Sequence, residues 1–126
     1  DLVDSCNTLI DGLRFKLEQK DYESVLLYDK TANYNAAVTS AETFVEDFPI
    51  SRYKEEVLRI AVDNSYLLAK NSVDNKKAER IGNTIERYNT FVAQFPESKE
   101  LNRFEKMIEE LKEMRKELTA EESNKN

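Results

Sequence analysis

Apolar residues return every three or four positions along most of the chain, the spacing of one face of an α-helix. Leu2, Cys6, Leu9, Ile10, Leu13 and Leu17 form a first stripe. Gly12 inside it implies either a close helix neighbour or tolerance of a cost of about 1 kcal/mol relative to alanine. Asp21 can cap a short second helix carrying Tyr22, Val25, Leu26 and Tyr28, which ends in the turn Lys30-Thr31-Ala32-Asn33. Tyr34, Ala37, Val38, Ala41, Phe44, Val45 and Phe48 mark a third helix, closed by Pro49 because a proline pushes the residue before it out of the helical region. From Ser51 to Lys70 apolar residues cover more than one face, the mark of a helix buried between neighbours. Beyond the polar link Asn71-Ser72-Val73-Asp74-Asn75, a stripe from Ala78 through Ile81, Ile85, Tyr88 and Phe91 to Phe95 predicts a fifth helix, stopped by Pro96. A sixth runs from Ser98 to Leu118, with Leu101, Phe104, Met107, Ile108, Leu111, Met114 and Leu118 opposite a charged face. Residues 119–126 are polar and read as a disordered tail, leaving one helical domain over residues 1–118.

Two of these helix pairs repeat. A shift of 47 residues places Thr43-Phe44-Val45 on Thr90-Phe91-Val92, Phe48-Pro49 on Phe95-Pro96 and Ser51 on Ser98, so six of nine positions match. Each unit is a helix ending in Phe-x-x-x-Phe-Pro, a tight turn, and a second helix that the serine can cap. One hairpin cannot bury its stripe alone, so stacked hairpins share a core and the last helix turns a polar face outward. The predicted fold class is therefore all-α, stacked helical hairpins of a TPR-like α-solenoid with about six helices. With Pro49 as the closing proline of a tetratricopeptide repeat, Tyr34, Ala37 and Phe44 take that motif's aromatic, small and packing positions. Tyr28 takes the aromatic place of its first helix, while Val25 and Ala32 stand where the motif has glycines. HEAT repeats of about 40 to 47 residues compete with this label, but a long second helix and the 71–75 insert account for the extra length.

Composition narrows the chemistry. Two glycines and two prolines in 126 residues are too few for hairpin-rich sheets or a glycine-loop nucleotide fold. Without histidine there is no Ser-His or Cys-His couple and no imidazole zinc site. Glu42, Glu46 and Asp47 gather before Pro49, as any exposed helix end allows, and Ser72–Lys77 lacks calcium-loop spacing. No catalytic, cofactor-binding or metal-binding residue is assigned, and an enzyme is not expected. A net charge of −6 argues against nucleic acid or an anionic membrane surface as partner. The chain opens at Asp1 already in a helical pattern, so it reads as part of a longer array whose first stripe, through Leu2, Leu9 and Leu13, is left free to self-associate.

The run Leu9-Ile10-Asp11-Gly12-Leu13, Leu17-Glu18-Gln19-Lys20-Asp21-Tyr22-Glu23, Tyr28, Tyr34-Asn35-Ala36-Ala37-Val38 and Phe48-Pro49-x-Ser51-Arg52-Tyr53 resembles the C-terminal half of the BamD outer-membrane assembly lipoproteins. Phe95-Pro96-Glu97-Ser98 is similar to that family's last repeat, and the resemblance covers about residues 5 to 110. It departs at Tyr28-Asp29, where two adjacent aromatics are common, and at Ala32, where glycine is. The resemblance implies a periplasmic scaffold without cofactors, anchored to the outer membrane by a lipid on an N-terminal cysteine. It also implies protein partners, the POTRA domains of the β-barrel insertase. Cys6 is not that lipidated residue, since Val3-Asp4-Ser5 is no lipobox and no apolar run precedes it; its spacing predicts a buried thiol. An alternative is another cell-envelope tetratricopeptide adaptor lipoprotein, linked to division or peptidoglycan.

Partner-binding candidates come from surplus apolar surface. Tyr53 and Tyr66 lie on the helix that is apolar all round, and Leu111, Met114 and Leu118 continue in near-heptad spacing past the matched repeat, where a partner helix could zip on. Packing inside the fold competes for all five. Glu105, Glu109, Glu110, Glu113 and Glu117 read as a solvated face balanced by Lys106, Lys112, Arg115 and Lys116.

Overall fold

A computed structural model describes residues 1–124, in five helices: α1 (Leu2–Lys30), α2 (Tyr34–Asp47), α3 (Lys54–Lys70), α4 (Asp74–Gln94) and α5 (Leu101–Asn124). Consecutive helices pack on one another, and α1 and α5 both also touch α3. The all-α stacked-hairpin expectation holds with five helices, because the first two predicted helices are one. Between Leu17 and Tyr22 the chain reads Glu-Gln-Lys-Asp, with no glycine or proline to break it, and Asp21 costs the helix less than 1 kcal/mol. The helix also runs on through residues 119–124, part of the tail read as disordered, because Ala120, Glu121 and Glu122 favour helix and nothing interrupts them. Residues 125 and 126 of that tail lie outside the described residues.

The 47-residue repeat reappears as geometry. Both first helices end with the same backbone, φ −131° and ψ 66° at Phe48 and φ −131° and ψ 65° at Phe95. The Phe48 and Phe95 amides donate to the carbonyls of Phe44 and Phe91 at 2.8 Å in both units. The ring pairs Phe44–Phe48 and Phe91–Phe95 sit 5.3 and 5.5 Å apart at 43° and 45°. Ser51 and Ser98 accept through Oγ from the amides of Tyr53 and Glu100 at 3.1 and 3.2 Å. They therefore tie the turn rather than cap the helix, whose N-cap in the first unit is Tyr53.

The core lies around α3, where Val57, Ile60, Ala61, Val62 and Ala69 are buried. Val25, Ala37, Ala41, Phe44 and Phe48 pack on its first half. On the other side Phe91 and Phe104 meet edge to face at 5.1 Å against Val62, and Ile81, Ile108 and Leu111 gather around Ala69. Phe104 occupies the repeat position of Val57; in the first unit, Tyr22 of α1 comes within 6.4 Å of Phe44 instead.

Only the second half of α1 joins this core. Residues 1–17 are exposed throughout, including Leu2, Leu9, Ile10, Leu13 and Leu17. The expectation of a buried Cys6 is overturned: its thiol is exposed, because no helix among the described residues covers the stripe that carries it. Gly12 needs no close neighbour, since a Cβ there would meet nothing within 4 Å.

Candidate functional site

Of the five residues nominated from sequence, Leu111 is 0% exposed and packs with Ala69, Ile81 and Ile108. Met114 and Leu118 are half-buried against the same cluster and close it at the far end of α5. Their near-heptad spacing is that of packing on α3 and α4.

The two tyrosines are built into helix joints. Tyr53 stacks on Tyr22 at 3.9 Å and 12°, and its hydroxyl donates to Gln19 while Arg52 donates to that hydroxyl at 2.7 Å. Tyr22 in turn donates to Glu56 at 2.6 Å, and burial, followed by that bond, pushes its hydroxyl up to about 12. Tyr66 donates to Glu110 of α5, and Lys70 pairs with the same carboxylate at 3.0 Å. Burial and then the Glu110 bond raise the Tyr66 hydroxyl above its ordinary value, while the Tyr66 and Lys70 bonds lower Glu110. Among the described residues these five do not converge: Tyr53 belongs to the α1–α3 joint, while Tyr66, Leu111, Met114 and Leu118 belong to the α3–α5 end.

Polar side chains tie the successive layers. Asn64, buried in α3, donates to Asp29 of α1 at 2.9 Å. Asp63 receives Arg103 of α5 at 2.7 and 3.1 Å, and that carboxylate is the main cause raising the guanidinium further. Ser65 and Thr84 share a buried hydrogen bond at 2.9 Å. Arg87 of α4 spans the neighbouring layer, donating to Ser65 at 3.2 Å and pairing with Glu42 of α2 at 2.9 Å. Most of these groups are used up in one another, while Arg87 keeps a buried Nε with no hydrogen-bond partner. Among the described residues no three His, Cys, Asp or Glu side chains come together to hold a metal ion.

The open surface lies elsewhere. A groove of about 500 Å³ runs between α2 and α4, with Glu42 on one wall, Asn83, Glu86 and Arg87 on the other, and Leu58 and Ala61 of α3 also lining it. A second hollow of about 570 Å³ opens at the α2–α3 turn beside Phe15 and Ile50, the latter 98% exposed. Sequence reading missed the groove residues because a polar helix face reads as ordinary solvent exposure. The one signal was the recurrence of Asn83, Glu86, Arg87 and Thr90 at i, i+3, i+4 and i+7. Among the described residues no helix is long and apolar enough to cross a membrane.

A search of curated proteins finds no match. The family model described as YfiO, outer membrane lipoprotein, matches residues 12–123, which takes in both repeat units and most of α1. With two like-built hairpins stacked on a bridging helix, and that match over nearly the whole chain, the protein belongs to the YfiO outer membrane lipoprotein family.

Proposed function

We propose that this chain is a non-catalytic periplasmic scaffold of the β-barrel assembly machinery, held at the outer membrane by the family's lipid anchor. Its task is to dock partner proteins during outer-membrane protein folding and insertion, and the POTRA domains of the insertase are the partner this reading names. The observation that carries it is the family match over residues 12–123 on a fold of stacked hairpins. Side-chain chemistry supports the same reading. The two groups shifted furthest, Tyr22 and Arg103, bond across helices to Glu56 and Asp63 of α3, as structural networks do. The accessible parts of Tyr53 at the α1–α3 joint, and of Tyr66, Met114 and Leu118 over Leu111 at the α3–α5 end, are two places where such a partner would touch the stack.

Depleting the parent protein in its source organism tests the role. The expected result is loss of folded β-barrel proteins from the outer membrane, with their unfolded forms accumulating in the periplasm. Unchanged barrel levels together with a division or cell-wall defect would replace this reading with that of a division- or peptidoglycan-linked adaptor.

A further inference from the structure

The groove between α2 and α4 is lined in a way that selects an occupant. Asn83, Glu86, Arg87 and Thr90 lie on one face of α4, and Asn89 lies beside them. From Asn83 to Thr90 the helix rises about 10 Å, the length of roughly three residues of extended chain. Among the described residues, the side chains of Asn83, Glu86, Asn89 and Thr90 make no hydrogen bond inside the protein. A carboxamide offers both donors and an acceptor, the pair of functions that an extended backbone leaves unsatisfied at each residue.

Charge decides what kind of chain fits. Arg87 is the one cation lining the groove, and it is already committed to Glu42 and Ser65. Arg80, about two turns before Arg87, donates instead to Ser72 in the link that precedes α4. Glu86 has no cation paired with it among the described residues. The facing helix α2 carries Glu42, Glu46 and Asp47 and no lysine or arginine.

We propose that this groove holds an extended, cationic segment of a partner polypeptide. Asn83, Asn89 and Thr90 hydrogen-bond its backbone, and Glu86 pairs with a lysine or arginine. Leu58 and Ala61 supply the apolar part of the wall. The proposal stands on the groove itself and does not depend on which assembly the protein serves.

Fluorescence anisotropy of the purified chain with short labelled peptides tests it. The probes are alternating lysine–threonine, glutamine–threonine and glutamate–threonine peptides. The lysine peptide binds saturably and about tenfold more tightly than the glutamine peptide, the factor one charge-assisted hydrogen bond supplies. Glu86→Gln, which keeps the side chain's shape, removes that preference. Asn83→Leu weakens both peptides, and Glu113→Gln on the exposed face of α5 changes neither. Circular dichroism confirms that each variant is folded. No saturable binding by the folded chain, a preference for the neutral or acidic peptide, or equal loss from Glu86→Gln and Glu113→Gln would overturn the proposal, the last by showing only general attraction to an acidic protein.

Discussion

Ala32 carries positive φ, at 56°, a left-handed conformation that favours glycine. It follows Thr31, the C-cap of α1, and there the Ala32 and Asn33 amides donate to the carbonyls of Asp29 and Tyr28, the two bonds of a Schellman close. The turn is thus held by its hydrogen bonds against a steric cost at one Cβ. Ala32→Gly is expected to stabilise the protein by about 0.5–1 kcal/mol, part of the left-handed penalty being offset by a freer unfolded chain. Ala32→Val lowers the melting temperature instead. Leu111 gives a complementary test, because a buried leucine shortened to alanine costs about 2–5 kcal/mol. Denaturant unfolding of Leu111→Ala reads that loss; unchanged stability would return Leu111 to the surface. Tyr22 adds a pH dependence. Its folded-state value of about 12 lies above the ordinary 10.0, so the folded protein holds this proton more tightly than the unfolded chain does. The resulting stability is complete below pH 10 and is lost as pH rises through 12. Urea midpoints fall across that window, and less steeply in Tyr22→Phe.

At the scale of helices, the same substitution has two consequences. A Cβ at Gly12 or at Gly82 meets nothing within 4 Å, so alanine fits at either place and favours the helix by about 0.5–1 kcal/mol. Gly82 lies inside α4, which packs on both α3 and α5, so Gly82→Ala raises the global unfolding free energy by that amount. Gly12 lies where α1 has left the core, so Gly12→Ala increases helix content by circular dichroism with little change in global stability. Equal effects on stability would mean that the first half of α1 folds as one unit with the rest. Most of this layout was legible in the sequence: the Phe-x-x-x-Phe-Pro endings, the serine turns and the apolar helix α3 all recur in the structure. A stripe such as Leu2 to Leu17 states that a face is apolar but not that a partner helix is present, so the burial of Cys6 does not follow from it. Likewise Leu111 follows a spacing common to internal packing and to partner zippers. At Asp21 an available cap residue suggested a boundary, yet helix-favouring neighbours on both sides carry α1 straight through it.

For the molecule as a whole, stability runs from neighbour to neighbour, as in other repeat proteins. α3 joins the two halves: it packs on α2 and α4 and also touches α1 and α5, and its Asn64, Ser65 and Asp63 bond to α1, α4 and α5 respectively. The measurement that tests the scaffold reading most directly is a calorimetric titration of the chain with the soluble POTRA region of the insertase from the same organism. A scaffold of the assembly machinery binds saturably, with a Kd that is micromolar or tighter, and substitutions on exposed positions between residues 34 and 118 weaken it. No detectable heat of binding over that concentration range, from a chain shown by circular dichroism to be folded, would contradict the account.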